Sequence, residues 1–318
     1  MKIASLIFAL LLMAGTVAAG EDHPRLIVVV GAAGTDEYGA LFRTWAERWQ
    51  AAAKQANAKC MMIGLEPSDK LSDREQLQAE LENCVKQPAA AVWLVLIGHG
   101  TFDGKTARFN LRGPDISPAE LNGWLKPIEQ PLAVVNCASS SGPFLAELSA
   151  PRRMIITATK SGSEHNFARL GDYLATAITD PAADLDKDEQ TSLLEAYLVA
   201  AARLREFYAA DSRLATEHPL LDDNGDRLGT PAEWFQGLRP TKAAKAGASL
   251  DGTLASQFVL QRSLREESLT PEARDKRDQL ERELAELRTR KSKLSEAEYL
   301  ALLEPILVGL ARLSQPAP

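Results

Sequence analysis

Positive charge is in short supply in this sequence. Its 318 residues carry 36 Lys and Arg against 43 Asp and Glu, a net charge of −7. That balance argues against a nucleic-acid partner, whose phosphates a binding face must neutralise. A membrane span needs about 20 apolar residues, and no run reaches that length. The nearest is Ile3 to Leu12. With Lys2 before it and Val17-Ala18-Ala19 after it, this run reads as a secretory signal over residues 1–19, not as an anchor. The mature chain is therefore expected to be exported, periplasmic or secreted, with no membrane span. Cysteine is scarce, and its count is odd: Cys60, Cys84 and Cys137. In an oxidising compartment Cys60 and Cys84 either pair or lie buried and reduced, and an unpaired Cys137 is a candidate reactive thiol. The turn Gly31-Ala32-Ala33-Gly34 lacks the rest of a dinucleotide fingerprint, so nucleotide binding is not expected.

What is present is ordinary globular composition, 45% hydrophobic and 25% charged. The length suits one large domain or two modest ones. Five apolar runs read as strands: Leu26–Val30, Lys59–Gly64, Val92–Gly98, Leu132–Asn136 and Met154–Thr159. Helical segments alternate with them. One carries Tyr38, Leu41, Phe42, Trp45 and Trp49 at helical spacing, a core stripe. Another starts at a Ser72/Glu75 capping box, a third at a Ser117/Glu120 box with Pro118 at its first position, and a fourth is expected over 167–178. Strand–helix–strand repetition predicts an α/β fold with a mostly parallel sheet and helices on both faces. Residues 101–114 read as a loop at the mouth of a cleft.

Two of these strands end in reactive side chains. Val92–Gly98 runs into His99-Gly100, and Leu132–Asn136 runs into Cys137, 38 positions after the histidine. Parallel strands present their carboxyl ends at one edge, where open α/β sheets keep their sites. A thiol and an imidazole placed there are the minimum for nucleophilic cysteine catalysis, which needs no cofactor.

The His99-Gly100 and Cys137 strand ends, with this order and spacing, resemble the caspase-like superfamily of cysteine peptidases, and within it the legumain family. The resemblance spans about Arg25 to Gly171. The caspase Gln-Ala-Cys pattern is not met, since Asn136 precedes Cys137, and the small polar run Ala138-Ser139-Ser140-Ser141-Gly142 fits the legumain pattern better. The resemblance implies an endopeptidase acting on peptides or proteins. Cys137 would be its nucleophile and His99 its proton donor, with the N–H groups of Gly100 and Cys137 holding the oxyanion. It also implies a specificity pocket lined by Glu164 and Asp172. The legumain Asn and Arg-His contributions are absent from Asp36-Glu37-Tyr38-Gly39-Ala40. A pocket keeping two carboxylates without that arginine is expected to be negative and to favour basic residues. The alternative function is a catalytically inactive caspase-like protein that binds peptides, or a calcium-dependent interaction protein.

The calcium reading rests on Asp184, Asp186, Asp188 and Glu195, at positions 1, 3, 5 and 12 of a twelve-residue calcium loop. Glu189 occupies the sixth position, where such loops have glycine. Ser192 and Glu195 also form a capping box, a purely structural use of the same residues. Leu221-Asp222-Asp223-Asn224-Gly225-Asp226 is a second acidic turn whose carboxylates could hold a cation. The expected domains are a peptidase-like body over 20–240 and a C-terminal extension over 241–318. The extension comprises a linker through Gly252 and a helical hairpin striped by Leu280, Leu284, Leu287 and Leu294, then Leu300, Leu303, Leu307 and Leu310, with Pro305 as a kink. The hairpin offers a surface for docking or for oligomerisation.

Overall fold

The computed structural model describes residues 23–210 and 212–313. The expected signal segment lies outside them. β1 (Arg25–Val30) is buried along its whole length, as a run of apolar residues covered on both faces must be. It feeds α1 (Asp36–Gln55), whose first turn is capped by Thr35 accepting from the Tyr38 N–H. The α1 stripe behaves as expected: Phe42, Trp45 and Trp49 are buried. β2 (Lys59–Ile63), α2 (Asp73–Lys86) and β3 (Val92–Ile97) follow, and α2 starts at the Ser72/Glu75 capping box.

The stretch expected to be a bare loop after β3 instead forms a small antiparallel hairpin, β4 (Gly100–Phe102) with β5 (Ala107–Phe109). Asp103, accepting from the N–H groups of Lys105 and Thr106, closes its turn. α3 (Pro118–Leu125) begins at the Ser117/Glu120 box. Then come β6 (Leu132–Asn136), α4 (Gly142–Leu148), β7 (Arg153–Thr157) and α5 (Leu170–Ala177). α5 starts three residues later than the sequence suggested, because Phe167 leaves the helix to join an aromatic cluster. α6 (Leu193–Ala210) leads to β8 (Leu220–Asp222).

The main sheet has the order β2-β1-β3-β6-β7-β8. All its pairings are parallel except β7 with β8, a three-residue strand too short to read from sequence. Alternation along each strand builds two cores. Leu26, Val28, Trp93, Val95 and Val135 face α1, α5 and α6, while Ile27, Val29, Leu94, Leu96 and Val134 face α2, α3 and α4. Each fully buried residue of this size contributes about 1.5–3 kcal/mol relative to exposure.

α7 (Thr253–Gln257), α8 (Leu264–Ser268), α9 (Pro271–Thr289) and α10 (Glu296–Leu313) complete the chain. The segment read as a linker is only partly one. Asp251 is fully buried and accepts from the N–H groups of Asp223 and Asn224, and Phe258 stacks on Trp93 at 4.6 Å. Asp251, Ala255, Phe258 and Leu260 are thus buried in the body. α9 and α10 pack together through Leu280, Leu287 and Ile306. The expected α10 stripe holds at Leu303 and Leu310, but Leu300 and Leu307 are exposed, and Ile306 is inside. The cysteines are all free thiols. Cys84 is buried against Arg25, and Cys60 lies 3.6 Å from the Met62 sulfur, so the disulfide alternative does not hold.

Candidate functional site at the carboxyl edge of the sheet

β3 and β6 are parallel neighbours with Leu96 opposite Asn136, so the chain segments bearing His99 and Cys137 leave the same edge. That edge holds the switch point of the sheet, where β1 has β2 on one side and β3 on the other. The side chains then part.

The His99 ring is enclosed by Tyr38 (centroids 4.7 Å), Phe42 (5.1 Å) and Phe167 (6.1 Å), mostly edge to face. Its Nε2 lies 3.1 Å from the Ala33 carbonyl oxygen. A carbonyl only accepts, so Nε2 carries the hydrogen. Tyr38, His99 and Phe167 are each half-buried and form an aromatic patch at the surface. Arg169 caps the Phe167 ring at 5.5 Å.

Cys137 turns into the core shared with α1 and α5. It is 1% exposed, and its N–H continues the sheet ladder to the Leu96 carbonyl at 2.9 Å. A Cβ placed on Gly171 would stand 2.9 Å from the Cys137 Cβ and 2.8 Å from the Trp45 ring, so nothing larger than glycine fits there. Burial pushes the thiol up to about 12, and the charge of Glu217 adds to the effect. Glu217 is 2% exposed and receives the N–H groups of Arg169 and Leu170 and the Tyr208 hydroxyl. Its neighbourhood therefore favours the neutral thiol, the reverse of what a nucleophilic cysteine requires. Among the described residues, no hydrogen bond joins His99 to Cys137.

The two expected oxyanion donors are also engaged. The Gly100 N–H donates to the Ser139 hydroxyl at 3.2 Å, and that hydroxyl lies 3.2 Å from the Gly100 carbonyl oxygen. A Cβ on Gly100 would meet the Ser139 carbonyl oxygen at 2.1 Å, so the glycine is required by packing. The side chain that reaches from the tip of β6 to the His99-Gly100 segment is thus Ser139, which the sequence reading passed over. Ser140 was missed as well. It has a left-handed backbone (φ 54°), and its hydroxyl lies 3.1 Å from His165 Nδ1. The signal available was a serine run at a strand-to-helix turn, overshadowed by the cysteine two positions before it.

The negative specificity pocket is not supported by the geometry. Glu164 pairs with His218 (Oε1 to Nδ1, 2.5 Å) and accepts the Lys160 N–H. Asp172 forms an ion pair with Arg48 of α1. The premise of two uncompensated carboxylates is corrected: Arg48, about two and a half turns along α1 from Gly39, supplies a cation.

Asp184, Asp186 and Asp188 come together, one carboxylate oxygen of each lying within 4.8 Å of the others. Asp184 accepts from the N–H groups of Lys187, Asp188 and Glu189. Glu189 adopts the left-handed conformation (φ 70°) that calcium loops give to glycine, so the sharp turn forms despite the side chain. Glu195 is engaged elsewhere. One of its oxygens caps the helix through the Ser192 N–H and hydroxyl, and the other receives the N–H groups of Leu185 and Asp186. Asp186 is exposed at the surface of this loop; partial desolvation, then the charges of Asp188, Glu195 and Asp184, push its carboxyl up to about 6.

The fold and this edge define an α/β protein with a parallel sheet and a histidine and a cysteine at adjacent strand ends. No protein-family model matches the chain, and no curated protein matches it. Among solved structures it is similar to the Drosophila initiator caspase Dronc, at 14% identity and TM-score 0.42 over 64% of this chain and 80% of that one. It is also similar to caspase-1 from Spodoptera frugiperda, at 9% identity and TM-score 0.42 over 64% and 88% of the two chains. The third, drICE, gives 11% identity and TM-score 0.40 over 64% and 89%. Likeness at this level assigns no activity. Among the described residues, no helix is long and apolar enough to cross a membrane.

Proposed function

We propose that this chain is an exported, caspase-like domain that binds peptides without cleaving them through Cys137. One observation carries the reading: the Cys137 thiol is sealed in the core, held neutral by burial and by Glu217, with no bond to His99. In its place the edge offers the half-buried aromatic patch of Tyr38, His99 and Phe167, able to take an apolar or aromatic side chain of an extended segment. The test is peptide-array binding to the purified chain. Phe167→Ala should weaken binding at least about fivefold, near 1 kcal/mol of aromatic contact, with no cleavage of bound peptides. Cleavage that disappears in Cys137→Ala refutes the reading.

A second reading, a cysteine endopeptidase using His99 and Cys137, is favoured by their departure from adjacent paired strands at one edge. It requires the Cys137 side chain to leave the core. Calcium at Asp184, Asp186 and Asp188 is compatible with either reading and is favoured by their convergence. The C-terminal α9–α10 hairpin is a candidate surface for self-association in either case.

A further inference from the structure

The second acidic turn holds two buried carboxylate oxygens without a hydrogen-bond partner among the described residues. Asp222, at the end of β8, is 1% exposed, and its Oδ2 is buried without a hydrogen-bond partner. Asp226 Oδ2 is likewise buried and unpartnered. The other oxygen of each is engaged locally, Asp222 Oδ1 by the Gly225 N–H and Asp226 Oδ1 by the Leu228 N–H. Burial raises the Asp222 carboxyl, the charge of Asp226 adds to it, and the Ser149 hydroxyl and the N–H groups of Gly225 and Arg227 partly offset the rise. Burying two such oxygens unpaired is costly, and a hard cation is the partner that would satisfy both.

The neighbouring acids do not share this condition. Asp223 receives the N–H groups of Gly252 and Ala255. Asp251 receives those of Asp223 and Asn224 and the Thr230 hydroxyl. These two act as rivets, fixing the turn onto the body. The arginine of the turn, Arg227, donates its Nε to the Ala146 carbonyl of α4.

We propose that Asp222, Asn224 and Asp226 form a calcium site. They stand at positions 1, 3 and 5 of a twelve-residue calcium loop, the positions that supply side-chain oxygens. Positions 4 and 6, Gly225 and Arg227, are left-handed at φ 77° and 72°. The first acidic loop repeats that pattern at its own positions 4 and 6, Lys187 and Glu189, at φ 64° and 70°. Position 12 is Glu233, which pairs with Arg205 at 3.6 Å, so no bidentate glutamate completes this set. Asn224 Oδ1 already accepts the Asp226 N–H and has one lone pair left. The shell is therefore finished by water, and affinity falls in the weak class of extracellular modules, about 10⁻⁴–10⁻³ M.

The test is calcium titration of the full chain after chelation, read by calorimetry and by thermal melting, with magnesium as the comparison ion. Asp222→Asn and Asp226→Asn keep the shape of the site, and Asp226 is only half-buried, which protects that variant's folding. Wild type should bind calcium and melt higher at about 10 mM calcium. Each of the two variants should lose at least about tenfold in affinity for one calcium event. Asp186→Asn should keep that event. Without calcium, neither variant at the second turn should melt lower than wild type, since each removes a buried charge. No calcium binding up to about 10 mM would overturn the proposal. So would binding that Asp186→Asn abolishes while Asp222→Asn and Asp226→Asn leave it intact.

Discussion

At the scale of single residues, charge and burial decide more than residue type. Cys137 and His99 sit where a cysteine peptidase would need them along the chain, yet one residue of strand alternation directs the thiol inward. Sequence identified the two positions and the shared edge, because long apolar runs and their ends are visible without coordinates. It could not show which face of the sheet Cys137 takes, since its run is apolar on both faces. Nor could it show that Ser139, two positions on, holds the backbone of Gly100. The cation opposite Asp172 was hidden for a related reason: Arg48 lies far away in the chain and meets Asp172 only through the packing of α1 beside α5. Asp186 gives a prediction at this scale. Its folded carboxyl, raised from 3.8 to about 6, binds its proton more tightly than the unfolded chain does. Its contribution to stability is therefore present at low pH and lost as pH rises from 3.8 to about 6. In calcium-free buffer, the melting temperature of wild type should fall across that window relative to Asp186→Asn. Parallel profiles for the two proteins would show that Asp186 titrates normally.

At the scale of elements, capping boxes were the most legible feature. Ser72/Glu75, Ser117/Glu120 and Ser192/Glu195 all form, because each needs only four consecutive residues. Short strands with no periodicity, β4, β5 and β8, were illegible, since pairing and not composition creates them. The α9–α10 hairpin was legible as two helices and in most of its facing: Leu280, Leu284, Leu287, Leu294, Leu303 and Leu310 pack as the stripe suggested. Leu300 and Leu307 are exposed instead, and Ile306 takes the buried place. Ile306→Ala should cost about 2 kcal/mol, at the low end for a large-to-alanine change, because this small cluster is only partly enclosed. Hydrogen exchange should show the loss in α9 and α10 amides while those of β1, β3 and β6 keep their protection. Equal loss of protection in the sheet would show that the hairpin and the body unfold as one unit.

At the scale of the whole molecule, one mostly parallel sheet carries two cores and presents its carboxyl edge as an aromatic surface over a closed interior. The acidic turns and the segment around Asp251 lie apart from that edge, so cation binding and edge binding can be tested separately. The central claim is that Cys137 is a core residue in the native chain. The most direct measurement is site-resolved mass spectrometry after timed exposure to a small thiol-alkylating reagent at mildly alkaline pH, with and without denaturant. The account predicts that Cys137 stays unlabelled in the native chain, that half-buried Cys60 reacts before it, and that Cys137 is modified only once the chain is unfolded. Rapid labelling of Cys137 in the native chain, slowed by His99→Ala, would contradict it.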